Sequence, residues 1–272
     1  MSVVSQRRFG DFNWVDLSSP DYAASKAFYA GLFGWEAIDQ PSPPEGDHGP
    51  YAMFELDGEV VAGLGELPEE MVAAGAPVCW NAYVHVDDID RVVAEVTARG
   101  ASVVVPPSEV GEHGRLAYFA DLEGAVIALW QSGSHCGSTR VDEPGTLCWA
   151  ELATRGLEAA SRFYSEVFGW TTHRRGAVTP SAYLVAHDGT EDIAGMLKMT
   201  DEWEDMPAHW SVYFEVSNAE ESAAKVKSLG GEVRYGPFEA KGVGHIVVCQ
   251  DNVGAHFHLM QLDAERRAAR RV

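Results

Sequence analysis

The chain has 272 residues, 46% of them hydrophobic and 22% charged, a globular composition that excludes collagen-like, disordered and disulfide-scaffold classes. Lys and Arg number 20 against 41 Asp and Glu, giving a formal net charge of −21. No nucleic acid and no membrane surface is expected as a partner, because both call for a basic face.

No run approaches the ~18 apolar residues of a membrane-spanning helix, and residues 1–10 carry no apolar signal core. Cys79, Cys136, Cys148 and Cys249 lie far apart without a C-x-x-C pair, so reduced thiols are expected. A cytoplasmic location follows as an expectation.

Residues 14–17 read as a short strand. Ser19 is the expected cap of the next helix, with Pro20 at its first position. Ser25, Phe28, Tyr29 and Leu32 fall at i, i+3, i+4 and i+7, one helix face, and Gly34 ends it. Strands are expected at 51–56 and 59–64, turned by Asp57 and Gly58. A strand at 79–86 opens a second unit. Its helix starts at Asp87, presents Ile89, Val92, Val93 and Val96, and stops at Gly100. Strands at 102–105, 115–120 and 125–130 follow, the last two joined by D-L-E-G at 121–124.

The pattern then returns. N-W-V-D-L at 13–17 becomes C-W-A-E-L at 148–152, F-Y at 28–29 becomes F-Y at 163–164, and L-F-G-W at 32–35 becomes V-F-G-W at 167–170. Residues 77–131 and 207–261 share 16 identities in 55 positions. A repeat this long is a duplicated domain. Ser217 to Glu220 reads as a capping box, and Gly230 as the stop. The expected organisation is a first domain over 1–131, an exposed linker over 132–144, a second domain over 145–263, and a solvated tail over 264–272 carrying four Arg.

The string W-x-D/E-L, a helix holding F-Y, then F-G-W and a D-x-x-G-A hairpin, resembles the vicinal oxygen chelate superfamily. Glyoxalase I, extradiol dioxygenases and bleomycin-resistance proteins belong to it. The resemblance spans about 10–131 and 145–262. It implies an α+β fold of two tandem domains, each two βαβββ motifs forming a curled mixed sheet around a cleft. In the family's enzymes a divalent metal usually sits in that cleft. Its ligand positions fall on Trp14, near Ala62 or Gly63, and on Asn81 and Ala128 in the first half. In the second they fall on Trp149, near Ala194 or Gly195, and on Ser211 and His258. Only His258 is a good ligand, and divalent metals take three or more N, O or S donors from the protein. No metal and no cofactor is therefore expected.

Strand alternation then names what lines the clefts. Trp14 shares its face with Phe12 and Asp16, while Val15 and Leu17 pack on the helix. Asn81, Tyr83 and His85 join the first cleft, opposite Val126, Ala128 and Trp130. Trp149 and Glu151 join the second, with His209, Ser211, Tyr213 and Glu215 and, opposite, His256, His258 and Met260. Trp80 and Trp210 are expected in the core. The small Val126 and Ala128 predict a roomier first cleft that binds, and the His cluster places any chemistry in the second. The residues Trp14, Asn81, Tyr83, His85, Trp130, Trp149, His209, Ser211, Tyr213 and His256 are candidate ligand contacts; His258 and Glu215 are candidate acid–base groups.

The leading expectation is binding of a small aromatic or apolar molecule by a monomer or homodimer. The alternatives are a metal-independent lyase, isomerase or cyclase, and a divergent metal-dependent glyoxalase-type lyase.

Overall fold

The computed structural model describes residues 2–3, 7–41, 49–174, 182–264 and 266. After the short β1 (Ser2–Val3), the first βαβββ unit comprises β2 (Phe12–Ser19), α1 (Tyr22–Phe33), β3 (Glu36–Asp39), β4 (Tyr51–Leu56) and β5 (Glu59–Glu66). A short helix, α2 (Glu69–Ala73), leads to the second unit. That unit is β6 (Cys79–His85), α3 (Ile89–Ala98), β7 (Ser102–Val110), β8 (Gly114–Ala120) and β9 (Val126–Ser132). The connecting segment holds β10 (Arg140–Val141).

The second half repeats this as β11 (Leu147–Thr154), α4 (Leu157–Phe168), β12 (Thr171–Arg174), β13 (Tyr183–His187) and β14 (Asp192–Lys198). Then come β15 (His209–Glu215), α5 (Ala219–Ser228), β16 (Glu232–Ala240), β17 (Gly244–Gln250) and β18 (His256–Leu262). Each half forms one open eight-stranded mixed sheet. The orders are β3-β4-β5-β2-β6-β9-β8-β7 and β12-β13-β14-β11-β15-β18-β17-β16. This is the expected α+β fold, and no helix among the described residues is long and apolar enough to cross a membrane.

Local sequence explains most boundaries. Gly34 and Gly169 end α1 and α4 in the left-handed region, at φ 76° and 74°. Asp57 and Gly58 both take positive φ in the β4–β5 turn, as a type I′ hairpin demands. Two expected caps shift by a residue or two. Asp21, not Ser19, caps α1 by accepting from the Ala24 amide at 2.9 Å, while the Ser19 hydroxyl bonds Ser25. Asn218, not Ser217, caps α5 through the Glu220 and Glu221 amides. Both replacements are short polar side chains able to reach the same orphan amides.

The helix-side faces of the two sheets pack on each other. One core cluster joins α3 residues Ile89, Val92 and Val96 to α4 residues Leu157, Phe163 and Tyr164. A second joins α1 residues Phe28, Tyr29 and Leu32 to α5 residues Ala219, Ala223 and Val226. The repeated strings form a reciprocal clasp. Tyr29 donates to Asp251 of the other half at 2.8 Å, and Tyr164 donates to Asp121 at 3.0 Å. Trp80 and Trp210, buried as expected, donate in turn to Tyr29 and Tyr164. Trp35 and Trp170 donate to the backbone carbonyls of Gly145 and Gly10 across the interface.

The segment 132–144, expected to be solvent-exposed, is packed. Ser138 is buried, with its amide on Asn13 and its hydroxyl on Val61. Arg140 pairs with both Asp57 and Glu143. These bonds satisfy backbone and charge that a free linker would leave to water.

Tyr29→Phe and Tyr164→Phe each remove a buried donor from a buried carboxylate. Each is expected to cost about 1–3 kcal/mol of stability. Urea unfolding of the single variants checks this.

Candidate functional site

Both sheets turn a concave face away from the interface, and the indoles lie there. Trp14 clusters with Tyr83, Ala128 and Trp130. Trp149 clusters with Cys148, Val185, Tyr213, Met260 and Leu262. The two indoles are equivalent to the atom: Trp14 Nε1 donates to Tyr51 and Trp149 Nε1 to Tyr183, each at 3.3 Å. Phe12 does not share this face. A bulge shifts the register between Phe12 and Trp14. Phe12 therefore packs into the interface, 5.3 Å from Trp210 and 5.8 Å from Trp170.

At the floor of each cleft lies a carboxylate held by phenols. Asp16 accepts from Asn81 and Tyr83 at 2.8 Å and from Tyr51 at 3.3 Å. Glu151 accepts from Tyr213 at 2.7 Å and Tyr183 at 2.8 Å. Burial raises the pKa of both acids, and the hydrogen bonds oppose that rise. Tyr51 and Tyr183 stand over glycines of the neighbouring strands. A Cβ at Gly63 would meet the Tyr51 hydroxyl at 2.0 Å, and one at Gly195 the Tyr183 hydroxyl at 1.9 Å. Glycine is therefore required at both positions. Among the described residues, no group of three or more His, Cys, Asp or Glu stands together as a metal-ligand set.

The clefts differ above this shared floor. In the first, Tyr118 hydrogen-bonds Tyr83, and both flank Ala128 from neighbouring strands. Val126 is exposed at the strand end rather than lining a void. The connecting segment then folds over the opening. His135 sets its ring edge-on to Trp14 at 4.6 Å, and its carbonyl accepts from Trp130 Nε1 at 2.8 Å. The expectation of a roomier first cleft is thus corrected: tyrosines and the chain's own imidazole fill it. His85 sits near its edge, 3.3 Å from Ser132 and 3.6 Å from Asp87.

In the second cleft, Val248 stands where Tyr118 does, and Met260 where Trp130 does. His258 stacks on Tyr213, with ring centroids 4.2 Å apart and planes 12° apart. Burial, reinforced by His209 and His256, pushes its pKa down to about 3. His209 bonds the Pro207 carbonyl, and His256 is exposed at the strand end. The three imidazoles therefore neighbour one another as their strand positions imply. Ser211 is half-buried in register with Glu151. Glu215 is fully buried two residues beyond Tyr213, its backbone tied to Thr146 and Gly145, and His258 makes no hydrogen bond to it. Arg266 lies over Trp149 at 6.0 Å, so this part of the tail folds back on the protein. The rest of the tail lies outside the described residues, apart from Ala264.

Sequence reasoning missed Tyr51, Tyr183, Tyr118 and His135 as cleft residues. A signal existed for the first two: Tyr51 and Tyr183 recur at corresponding places in the repeat.

This geometry, two curled sheets with paired βαβββ units and a side-chain-lined concavity in each, defines a tandem glyoxalase-type protein. Residues 11–129 match the glyoxalase/bleomycin resistance protein/dioxygenase superfamily, and 149–260 match the glyoxalase-like domain. The chain belongs to that superfamily. It is 38% identical over 261 residues to CFP32 of Mycobacterium tuberculosis, which bears the name "putative glyoxylase"; the match covers 96% of this chain and 98% of that one. It is 33% identical over 262 residues to the anthracycline biosynthesis protein DnrV of Streptomyces peucetius, covering 92% of each. Among solved structures, the Mn(II)-bound glyoxalase of Novosphingobium aromaticivorans is similar at TM-score 0.64 and 17% identity, over 94% of this chain and 83% of that one. The 2,3-dioxygenase LapB of Pseudomonas sp. KL28 is similar at TM-score 0.64 and 13% identity, over 94% and 93%. At such identities these structures show a shared fold.

His135 is pushed down to about 4 by burial, with His113 adding to the shift. The unfolded chain binds its proton near pH 6.5, the folded protein only near 4. Stability contributed here is full above about 6.5 and is lost as pH falls towards 4. His135→Phe is expected to flatten the stability–pH slope in that window, read as the difference from wild type in urea unfolding between pH 7 and 4.

Proposed function

We propose that the protein binds a small, planar, largely apolar organic molecule in its second cleft, without a metal. The observation that carries this is the asymmetry of two otherwise equivalent floors. The first is covered by Tyr118 and His135. The second offers the Trp149 indole and the stacked Tyr213–His258 pair, with Val248 and Met260 in place of Tyr118 and Trp130 and with Arg266 6.0 Å from the indole. Aromatic faces of this kind favour ring stacking, at about 0.5–1.5 kcal/mol per pair beyond area burial.

The metal-free reading rests on the donor set. Trp149, Gly195 and Ser211 supply no strong ligand beside His258, and the Tyr183 phenol takes the space at Gly195. Binding stands ahead of acid–base catalysis because a general base works best with a pKa near the operating pH. His258 is held neutral well below that range, without a bond to Glu215. A relative at 33% identity is named for anthracycline biosynthesis.

Calorimetric titration with 1-naphthol tests the site. Trp149→Ala is expected to weaken binding about tenfold, and Trp14→Ala to leave it within about twofold. Equal effects of the two substitutions refute the assignment to the second cleft. Dialysis against Zn, Mn and Ni salts is expected to leave no stoichiometric metal; one tightly retained ion per chain refutes the metal-free reading.

A further inference from the structure

The hydrogen-bond inventory of the second cleft specifies its ligand more narrowly. Both oxygens of Glu151 are taken, one by Tyr213 and one by Tyr183. The Tyr183 hydroxyl also receives the Trp149 N–H. The Tyr213 hydroxyl is spent on Glu151. The polar groups of this floor are therefore committed to one another.

His258 is the exception. Its Nδ1 is buried and meets no partner. A neutral imidazole carries one N–H donor and one bare nitrogen that accepts. With the ring proton on Nε2, Nδ1 is left with a lone pair and no donor to meet it. A buried acceptor without a donor costs free energy until one arrives. In the first half Ala128 occupies this place, and the buried imidazole nitrogen without a partner there is Nε2 of His135, contributed by the connecting segment.

Resting on the reading that the second cleft binds a planar molecule, we propose that this molecule is a neutral hydroxylated aromatic. Its O–H donates to the bare nitrogen of His258 while its ring lies along the Trp149 and Tyr213 wall. An ether offers no donor for that nitrogen. A carboxylate adds lone pairs against it and brings negative charge towards Glu151. His258 acts here as a specificity-determining contact, its ring fixed by the stack on Tyr213.

The test compares 1-naphthol, 1-methoxynaphthalene and 1-naphthoate, matched in ring and differing at one substituent, by calorimetry at pH 7. Wild type is expected to bind the naphthol about tenfold more tightly than the methyl ether, with the naphthoate weakest. His258→Phe keeps a stacking ring and removes the acceptor. It is expected to erase the preference and to leave the methyl ether unchanged. Equal affinities in wild type, or a preference surviving in His258→Phe, overturn the proposal. If all three bind equally and Trp149→Ala weakens them all, the binding reading stands and the donor requirement falls. If none binds, both fall.

Nitrogen NMR of uniformly labelled wild type supplies a check that needs no variant. The His258 ring is expected to show one protonated and one bare nitrogen at pH 7, the bare one shifting when 1-naphthol is added. Two protonated nitrogens, or a bare nitrogen that 1-naphthol leaves unmoved, overturn the proposal.

Discussion

The reciprocal clasp between Tyr29 and Asp251 and between Tyr164 and Asp121 fixes everything else in the molecule. Each aspartate first closes its own hairpin, accepting two backbone amides; Asp121 holds Glu123 and Ala125, and Asp251 holds Val253 and Ala255. Its second oxygen then reaches the helix of the other half. One buried carboxylate thus serves a local turn and a domain interface together. Satisfied in this way, a buried charge becomes tolerable and directional. The helix-side faces of both sheets are consumed by this contact, so the concave faces are the surfaces left to meet a ligand.

Those two faces act as controls for one another. What they share is the floor: an indole N–H on a phenol, and phenols on a carboxylate. The arrangement survives in a cleft that Tyr118 and His135 cover, which marks it as the packing solution of this sheet. What they do not share is the wall. Tyr118 gives way to Val248, Trp130 to Met260 and Ala128 to His258. The connecting segment explains the bias. It must run from one half to the other, and its route passes over the first cleft, where His135 finds an aromatic edge to pack against. After the last strand of the second half, Arg266 lies over Trp149 at 6.0 Å.

Much of this was legible in the residues. Period-two and period-3.6 patterns, the positive-φ glycines and the F-Y and D-x-x-G-A strings fixed the units, the duplication and the helix-facing tryptophans. The clasp itself was written twice in the chain, although nothing local shows that Tyr29 serves Asp251 rather than its own half. The strands at 36–39 and 171–174 were not legible. They are short, largely exposed and weakly patterned, and pairing with β4 and β13 holds them in place.

By itself the sequence determined the tandem domains and the two indoles on the concave faces. Each follows from side-chain identity and strand alternation, which are local. Only the tertiary structure decided that Phe12 leaves the cleft, because a one-residue bulge reverses every alternation beyond it. Only it decided that Tyr51 and Tyr183 stand over Gly63 and Gly195, because that contact joins neighbouring strands and the recurrence of the tyrosines does not say what they touch. And only it decided that the first cleft is covered by His135. That cover depends on where a non-repeating segment lies in space, and the path of residues 132–144 is set by bonds to Asn13, Val60 and Val61 far away in the chain.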